Sequence, residues 1–71
     1  MRIFFTKHAR VRLIERGIKE VIVHDILESP DLVYQTYDNK SAYRKEIQGE
    51  KIEVICLKLG DKFLVITAYY L

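Results

Sequence analysis

Pro30 divides this 71-residue chain into two halves with different periodicities. Ahead of it, apolar residues recur at the three- and four-residue spacing of helices; from Leu32 onward they come in β-branched and aromatic runs broken by turn pairs. Because the residue before proline is biased out of the helical region, the helical half must close at Ser29. Four runs follow, Leu32 to Tyr37, Ala42 to Ile47, Ile52 to Leu59 and Phe63 to Tyr70, separated by Asp38-Asn39, Gln48-Gly49 and Gly60-Asp61. Turns this short join neighbouring strands antiparallel, in meander order.

The helical half holds two segments. Thr6 is suited to cap the first, which should run to Arg16, where Gly17 supplies the left-handed stop and Ile18 the apolar contact beyond it. Its apolar residues Ala9, Val11, Leu13 and Ile14 spread over a wide arc. Arg10 lies within that arc, where it either snorkels to the rim with its stem covered, the favoured reading, or reaches a carboxylate. The second segment runs from Lys19 to about Ser29, with Val21, Ile22, Val23, Ile26 and Leu27 as its apolar side and His24 on its wet side. The tight Gly17-Ile18 link makes the pair a helical hairpin. Arg2-Ile3-Phe4-Phe5, ahead of it, is suited to a short edge strand.

The expected architecture is therefore α+β: a helical hairpin packed on one face of a four-stranded antiparallel meander, with a short amino-terminal edge strand. At this length residues 1–71 make a single small domain with a modest core. Hydrophobic residues make up 49% and charged residues 31%, a balance outside the disordered regime. No apolar run approaches the ~18 residues of a membrane helix, and the first residues lack the features of a secretion signal, so a cytoplasmic location is the default.

Registers follow from the turns. With Gly60-Asp61 as a two-residue loop, Leu57 faces Leu64, Ile55 faces Ile66 and Val54 faces Thr67. The Leu57, Leu64, Ile55, Ile66 face is the more apolar and is assigned to the helices. The preceding loop is either Gln48-Gly49 or Gly49-Glu50. The second sets Glu46 against Glu53, and like charges directly opposed are destabilising, so Gln48-Gly49 is chosen, with Arg44 opposite Glu53. One face should then carry Tyr43, Lys45, Thr67 and Tyr69. The remaining apolar positions, Val54, Cys56, Phe63 and Val65, should not stay exposed, and a homodimer contact or a bound partner is expected to cover them. Cys56, the lone cysteine, reads as a small buried hydrophobe.

Chemistry is concentrated in the first helix. Residues 2 to 19 carry six lysines and arginines against the single acid Glu15, although the net charge is only +2. At about 100° per residue, His8, Arg12 and Arg16 fall on one stripe with Glu15 beside it. Guanidinium forks match phosphate oxygens two at a time, and imidazole moves protons near neutral pH. The plainer reading is a solvated charged face. Cleaving RNA without a metal needs a base, an acid and cations for the charge growing on phosphate. His8 could transfer the proton, Arg12, Arg16, Arg44 or Lys45 hold the phosphate, and Tyr43, Thr67 or Tyr69 donate a hydrogen bond or stack on a base. Arg44 stands beside Glu53, which is read as its structural partner or as a base. No glycine-rich phosphate loop is present, and His8 and His24 lack a third ligand, so neither metal nor other cofactor is expected.

The run His8-Ala9-x-x-Arg12-x-x-x-Arg16-Gly17-Ile18, the Glu28-Ser29-Pro30-Asp31 segment, Tyr43-Arg44-Lys45 and Val65-Ile66-Thr67-Ala68-Tyr69 together resemble the domain of unknown function family 4258. That family is often grouped with the barnase/RelE-type ribonuclease fold, so the resemblance implies two helices on a four-stranded antiparallel sheet. The resemblance implies a toxin-type endoribonuclease or a relative of one, with an antitoxin-like protein partner. It also implies that His8, Arg12, Arg16, Arg44 and Thr67 are the positions that carry over, supported by Tyr43 and Tyr69. A non-catalytic RNA- or protein-binding module of the same fold is the alternative.

Overall fold

The computed structural model describes residues 1–71 in full. In chain order the elements are β1 (Arg2–Phe5), α1 (Lys7–Arg16), α2 (Glu20–Glu28), β2 (Leu32–Gln35), β3 (Ser41–Ile47), β4 (Glu50–Leu59) and β5 (Lys62–Tyr70). Two helices lie on one face of a five-stranded mixed sheet of order β1-β5-β4-β3-β2. The expected antiparallel meander of β2 to β5 is therefore extended by β1, which pairs parallel to β5 from Arg2↔Lys62 to Phe5↔Val65. A parallel neighbour requires a crossover; the helices and β2 to β4 supply it.

Local chemistry sets the ends of α1. Thr6 has extended backbone and its Oγ1 accepts from the Ala9 N–H at 3.0 Å. At the other end Gly17 is left-handed, with φ 67°; its N–H donates to the Ile14 carbonyl at 3.2 Å and the Ile18 N–H donates to that of Leu13 at 2.9 Å. These paired bonds satisfy carbonyls that the helix end would otherwise leave free. Ile18 then turns into the core. α2 has no side-chain cap at Lys19, and its footing comes from burying Val23, Ile26 and Leu27.

The β3–β4 loop is Gln48-Gly49, with φ 52° and 81°, as like-charge avoidance required. Arg44 faces Glu53 and Glu46 faces Lys51 in the resulting register. Leu59 faces Lys62 and Leu57 faces Leu64 across Gly60-Asp61, also as expected. One irregularity alters the rest. The pairing passes from Cys56↔Val65 to Ile55↔Thr67, leaving Ile66 as the extra residue of a bulge. Val54 consequently faces Ala68 rather than Thr67, and Glu53 faces Tyr69.

The bulge accompanies a larger correction. The helices cover Val54, Cys56, Phe63 and Val65, not the Leu57, Leu64, Ile55, Ile66 set, and they join Ala9, Leu13, Val23 and Ile26 in one core. Both faces of β4 and β5 are apolar, so hydrophobicity alone does not choose between them. Ala68, Cys56 and Val54 are fully buried, as is Ala9 on α1, and small residues let a helix lie close to a sheet. The face expected to need a second copy of the chain is thus closed by the helices. Phe4, Leu57, Leu59 and Leu64 lie on the uncovered side, Phe4 and Leu59 largely exposed.

Two further expectations change. Val11, Ile14 and Val21, placed in the buried arcs, are exposed, Ile14 at 81%. Ala9 and Leu13 alone bury α1, because a helix on a flat sheet needs only a narrow stripe. Arg10 does not simply snorkel: its Nη1 donates to Glu20 Oε2 at 2.9 Å, and its guanidinium lies 5.3 Å from the Phe5 ring centroid. No helix is long and apolar enough to cross a membrane.

Leu13 and Ile14, adjacent in sequence, should differ sharply on truncation. Leu13→Ala, 2% exposed in the wild type, is expected to cost about 2–5 kcal/mol, and Ile14→Ala to stay within about 0.5 kcal/mol. Urea denaturation of the two variants checks both values.

Candidate functional site

A carboxylate sits beneath the uncovered face of the sheet. Strand alternation, with the register above, places Arg44 on β3, Glu53 on β4 and Tyr69 on β5 in one cross-strand row, and Tyr34 on β2 joins them from beside Ala42. Glu53 is only 3% exposed. Its Oε1 accepts from the Tyr34 hydroxyl at 2.8 Å and from Arg44 Nε and Nη2 at 3.2 and 3.0 Å, while its Oε2 accepts from the Tyr69 hydroxyl at 2.5 Å. The Arg44 guanidinium also lies 5.8 Å from the Tyr34 ring centroid. No buried side-chain nitrogen or oxygen lacks a partner.

These contacts fix the protonation states. Burial pushes the Glu53 carboxyl up, but the hydrogen bonds from Tyr69, Tyr34 and Arg44 outweigh it and hold the group below its ordinary 4.5. Tyr69 is pushed up to about 12, first by burial and then by its bond to Glu53. Tyr34 is raised chiefly by that same carboxylate. Near neutral pH the row therefore holds one carboxylate, one guanidinium and two intact phenols. Glu53, fully engaged and held ionised, acts as an organiser of donors and is poorly placed to accept a further proton.

A second convergence lies at the edge of β5. β1 stops at Phe5, where the Thr6 N–H donates to the Val65 carbonyl at 3.1 Å, so beyond Val65 the outer edge of β5 has no strand partner. Arg16 fills that gap from α1: its Nη1 donates to the Ala68 carbonyl at 2.9 Å and to Thr67 Oγ1 at 3.1 Å. The helical stripe is thereby tied to the strand residue Thr67. Arg12 and His8 stand one and two turns back along the same side of α1, within about 12 Å along the axis. Arg12 donates to Glu15 at 2.8 Å, and His8 is exposed with no hydrogen bond or ion pair.

The expected site residues thus divide. Arg16 and Thr67 meet, and Arg44 and Tyr69 meet through Glu53. Tyr43 and Lys45 go elsewhere. Tyr43 is buried under the helices, edge-on to Phe63 with centroids 5.6 Å apart, and Lys45 donates to Ser29 at 2.6 Å, with Asp25 at 3.7 Å. The bulge is the cause, since it places Thr67 and Tyr69 on the opposite face from Tyr43 and Lys45. His8 and Arg44 are likewise on opposite sides of the sheet.

Tyr34 was not singled out from sequence. Its signal was available in part: Leu32 pairs with Arg44, and two residues further on Tyr34 shares the same face. Recognising it needed the β2–β3 register, which a loop longer than two residues does not set. Cys56 is buried, and burial pushes its thiol up to about 11, as suits a packing role. No group of three or more His, Cys, Asp or Glu side chains is placed to hold a metal ion.

Two helices on one face of a mixed five-stranded sheet define a small α+β domain. By match to the family model over residues 5–70, the chain belongs to the family described as domain of unknown function DUF4258. No curated protein and no solved structure gives a significant match.

The row should respond to pH at both ends. Glu53 is held below 4.5, so its contribution to stability is complete above that unfolded value and is lost as pH falls through the lower folded one. Tyr69 is held protonated, so its contribution is present below 10.0 and is lost as pH rises through about 12. Denaturation at a series of pH values should show Glu53→Gln flattening the acid limb and Tyr69→Phe flattening the alkaline limb; an acid limb unchanged in Glu53→Gln would refute the assignment.

Proposed function

We propose that the chain acts on RNA as a metal-independent endoribonuclease related to the barnase/RelE toxin group. The observation that supports this reading is the bridge from Arg16 to Thr67, which ties the last residue of the His8, Arg12, Arg16 stripe to the free edge of β5. A strand of RNA following that edge meets cations in succession. Arg12 and Arg16 would hold phosphate oxygens and stabilise the charge that builds on them as the bond to phosphorus changes.

In the reaction the 2′-oxygen attacks the adjacent phosphorus and loses its proton to a base. The bond from phosphorus to the 5′-oxygen breaks, and that oxygen takes a proton. The products are a 2′,3′-cyclic phosphate and a 5′-hydroxyl. His8, solvent-open and unpaired, is the group proposed for proton transfer. Arg44 stands across the sheet from His8, and its proposed part is in binding. This separation also favours a second reading, in which the same cations bind RNA without cutting it.

Incubating purified protein with RNA in the presence of a chelator tests both. Cleavage to cyclic phosphate ends is expected in the wild type, with His8→Ala slower by about a hundredfold or more. Cleavage that His8→Ala leaves untouched removes His8 from the mechanism. Absence of cleavage, together with binding that weakens steeply with salt, supports the binding module instead.

A further inference from the structure

We propose that the uncovered face of the sheet carries a nucleotide subsite for single-stranded RNA, with Arg44 taking a phosphate, Tyr34 and Tyr37 taking a base, and Glu53 as the positioning residue. It rests on the reading that RNA is the ligand. It does not require that RNA be cut.

Arg44 is held by one edge only. Its Nε and Nη2 point at Glu53, whereas Nη1 has no protein partner and the side chain is 36% exposed. A guanidinium fixed from behind by a carboxylate keeps N–H groups free for an anion in front. Tyr34, against which the guanidinium lies, is fixed through its hydroxyl to the same carboxylate, so its ring is held still. Tyr34 also lines, with Gln35, Thr36 and Tyr37, an open surface recess of about 450 Å³ next to Arg44 in the fold but not lined by it.

Tyr37 supplies the second aromatic surface. It is fully exposed, yet its turn is braced: the Lys40 N–H donates to Thr36 Oγ1 at 3.0 Å, the Thr36 hydroxyl donates to Asp38 at 2.6 Å, and Lys40 pairs with Asp38. An aromatic side chain without packing partners on a braced turn presents its ring to solvent, where a base can stack on it. The ion pair points the same way. On a face otherwise carrying Leu57, Leu64 and Ile55, apolar residues would serve stability as well as a desolvated Arg–Glu pair.

The test measures binding of a short 2′-O-methyl oligouridylate, which cannot be cleaved through its 2′-oxygen, and of inorganic phosphate. Tyr37→Ala should weaken the oligonucleotide about tenfold and leave phosphate binding and the salt slope alone. Arg44→Lys, which keeps the charge but loses the fork, should weaken both ligands about tenfold, and Arg44→Ala should in addition reduce the salt slope by about one. Added methylguanidinium should restore binding to Arg44→Ala but not to Arg44→Ala combined with Glu53→Gln. A merely structural Glu53 would lower thermal stability and leave that rescue intact. Wild-type affinity in both Tyr37→Ala and Arg44→Lys, or no oligonucleotide binding by the wild type, would overturn the subsite. If the two variants bind weakly while no RNA is cleaved, the subsite stands and the nuclease reading falls. If RNA is cleaved and oligonucleotide affinity is unchanged by both, the reverse holds.

Discussion

The bulge at Ile66 decides which side chains of β5 share a face, and most of the molecule follows from it. One extra residue lets Val65 and Ala68 both turn toward the helices while Thr67 and Tyr69 turn away. α1 can then settle closely over β5, Ala9 and Leu13 inward, because what it meets is small. The same step brings Tyr69 opposite Glu53, so the polar row and the tight helix–sheet packing share one origin. A strand without the bulge would put the Tyr69 hydroxyl under the helices, where no partner awaits it.

A sheet covered on one face only leaves its other face to carry function. Its lower part is apolar, with Phe4, Leu57 and Leu64, and its upper part is a carboxylate enclosed by two phenols and a guanidinium. Desolvating Glu53 is costly, and four hydrogen bonds offset that cost and keep the group ionised. The result is a set of donors in fixed positions rather than a mobile charged surface. Around the corner, where β1 leaves β5, Arg16 satisfies an edge carbonyl and carries the cationic stripe of α1 to Thr67.

Local rules were legible wherever one residue type has one conformational use. Thr6 and Gly17 bounded α1, Gln48-Gly49 set the β3–β4 register, and charge avoidance paired Arg44 with Glu53 before any fold was known. Family membership was legible too, from the His8 to Ile18 run with the strand residues. The composition of the candidate site was harder. Tyr43 and Lys45 were grouped with Thr67 and Tyr69 because strict alternation was carried through Ile66, and a bulge leaves no unambiguous mark in a run of β-branched residues. Tyr34 stayed hidden because its register depends on a longer loop.

By itself the sequence determined the elements, the caps of α1, the β3–β4 register, the pairs of the β4–β5 hairpin nearest its turn and a cationic stripe on α1, since each depends on neighbours a few residues apart. Only the tertiary structure decided which sheet face the helices cover, that β1 pairs parallel to β5, and that Glu53 gathers Tyr34, Arg44 and Tyr69. Those choices turn on competition between two faces of nearly equal hydrophobicity. That competition is settled by how closely α1 can approach Ala68, and by where the donors for one buried carboxylate come together, both of which depend on residues far apart in the chain.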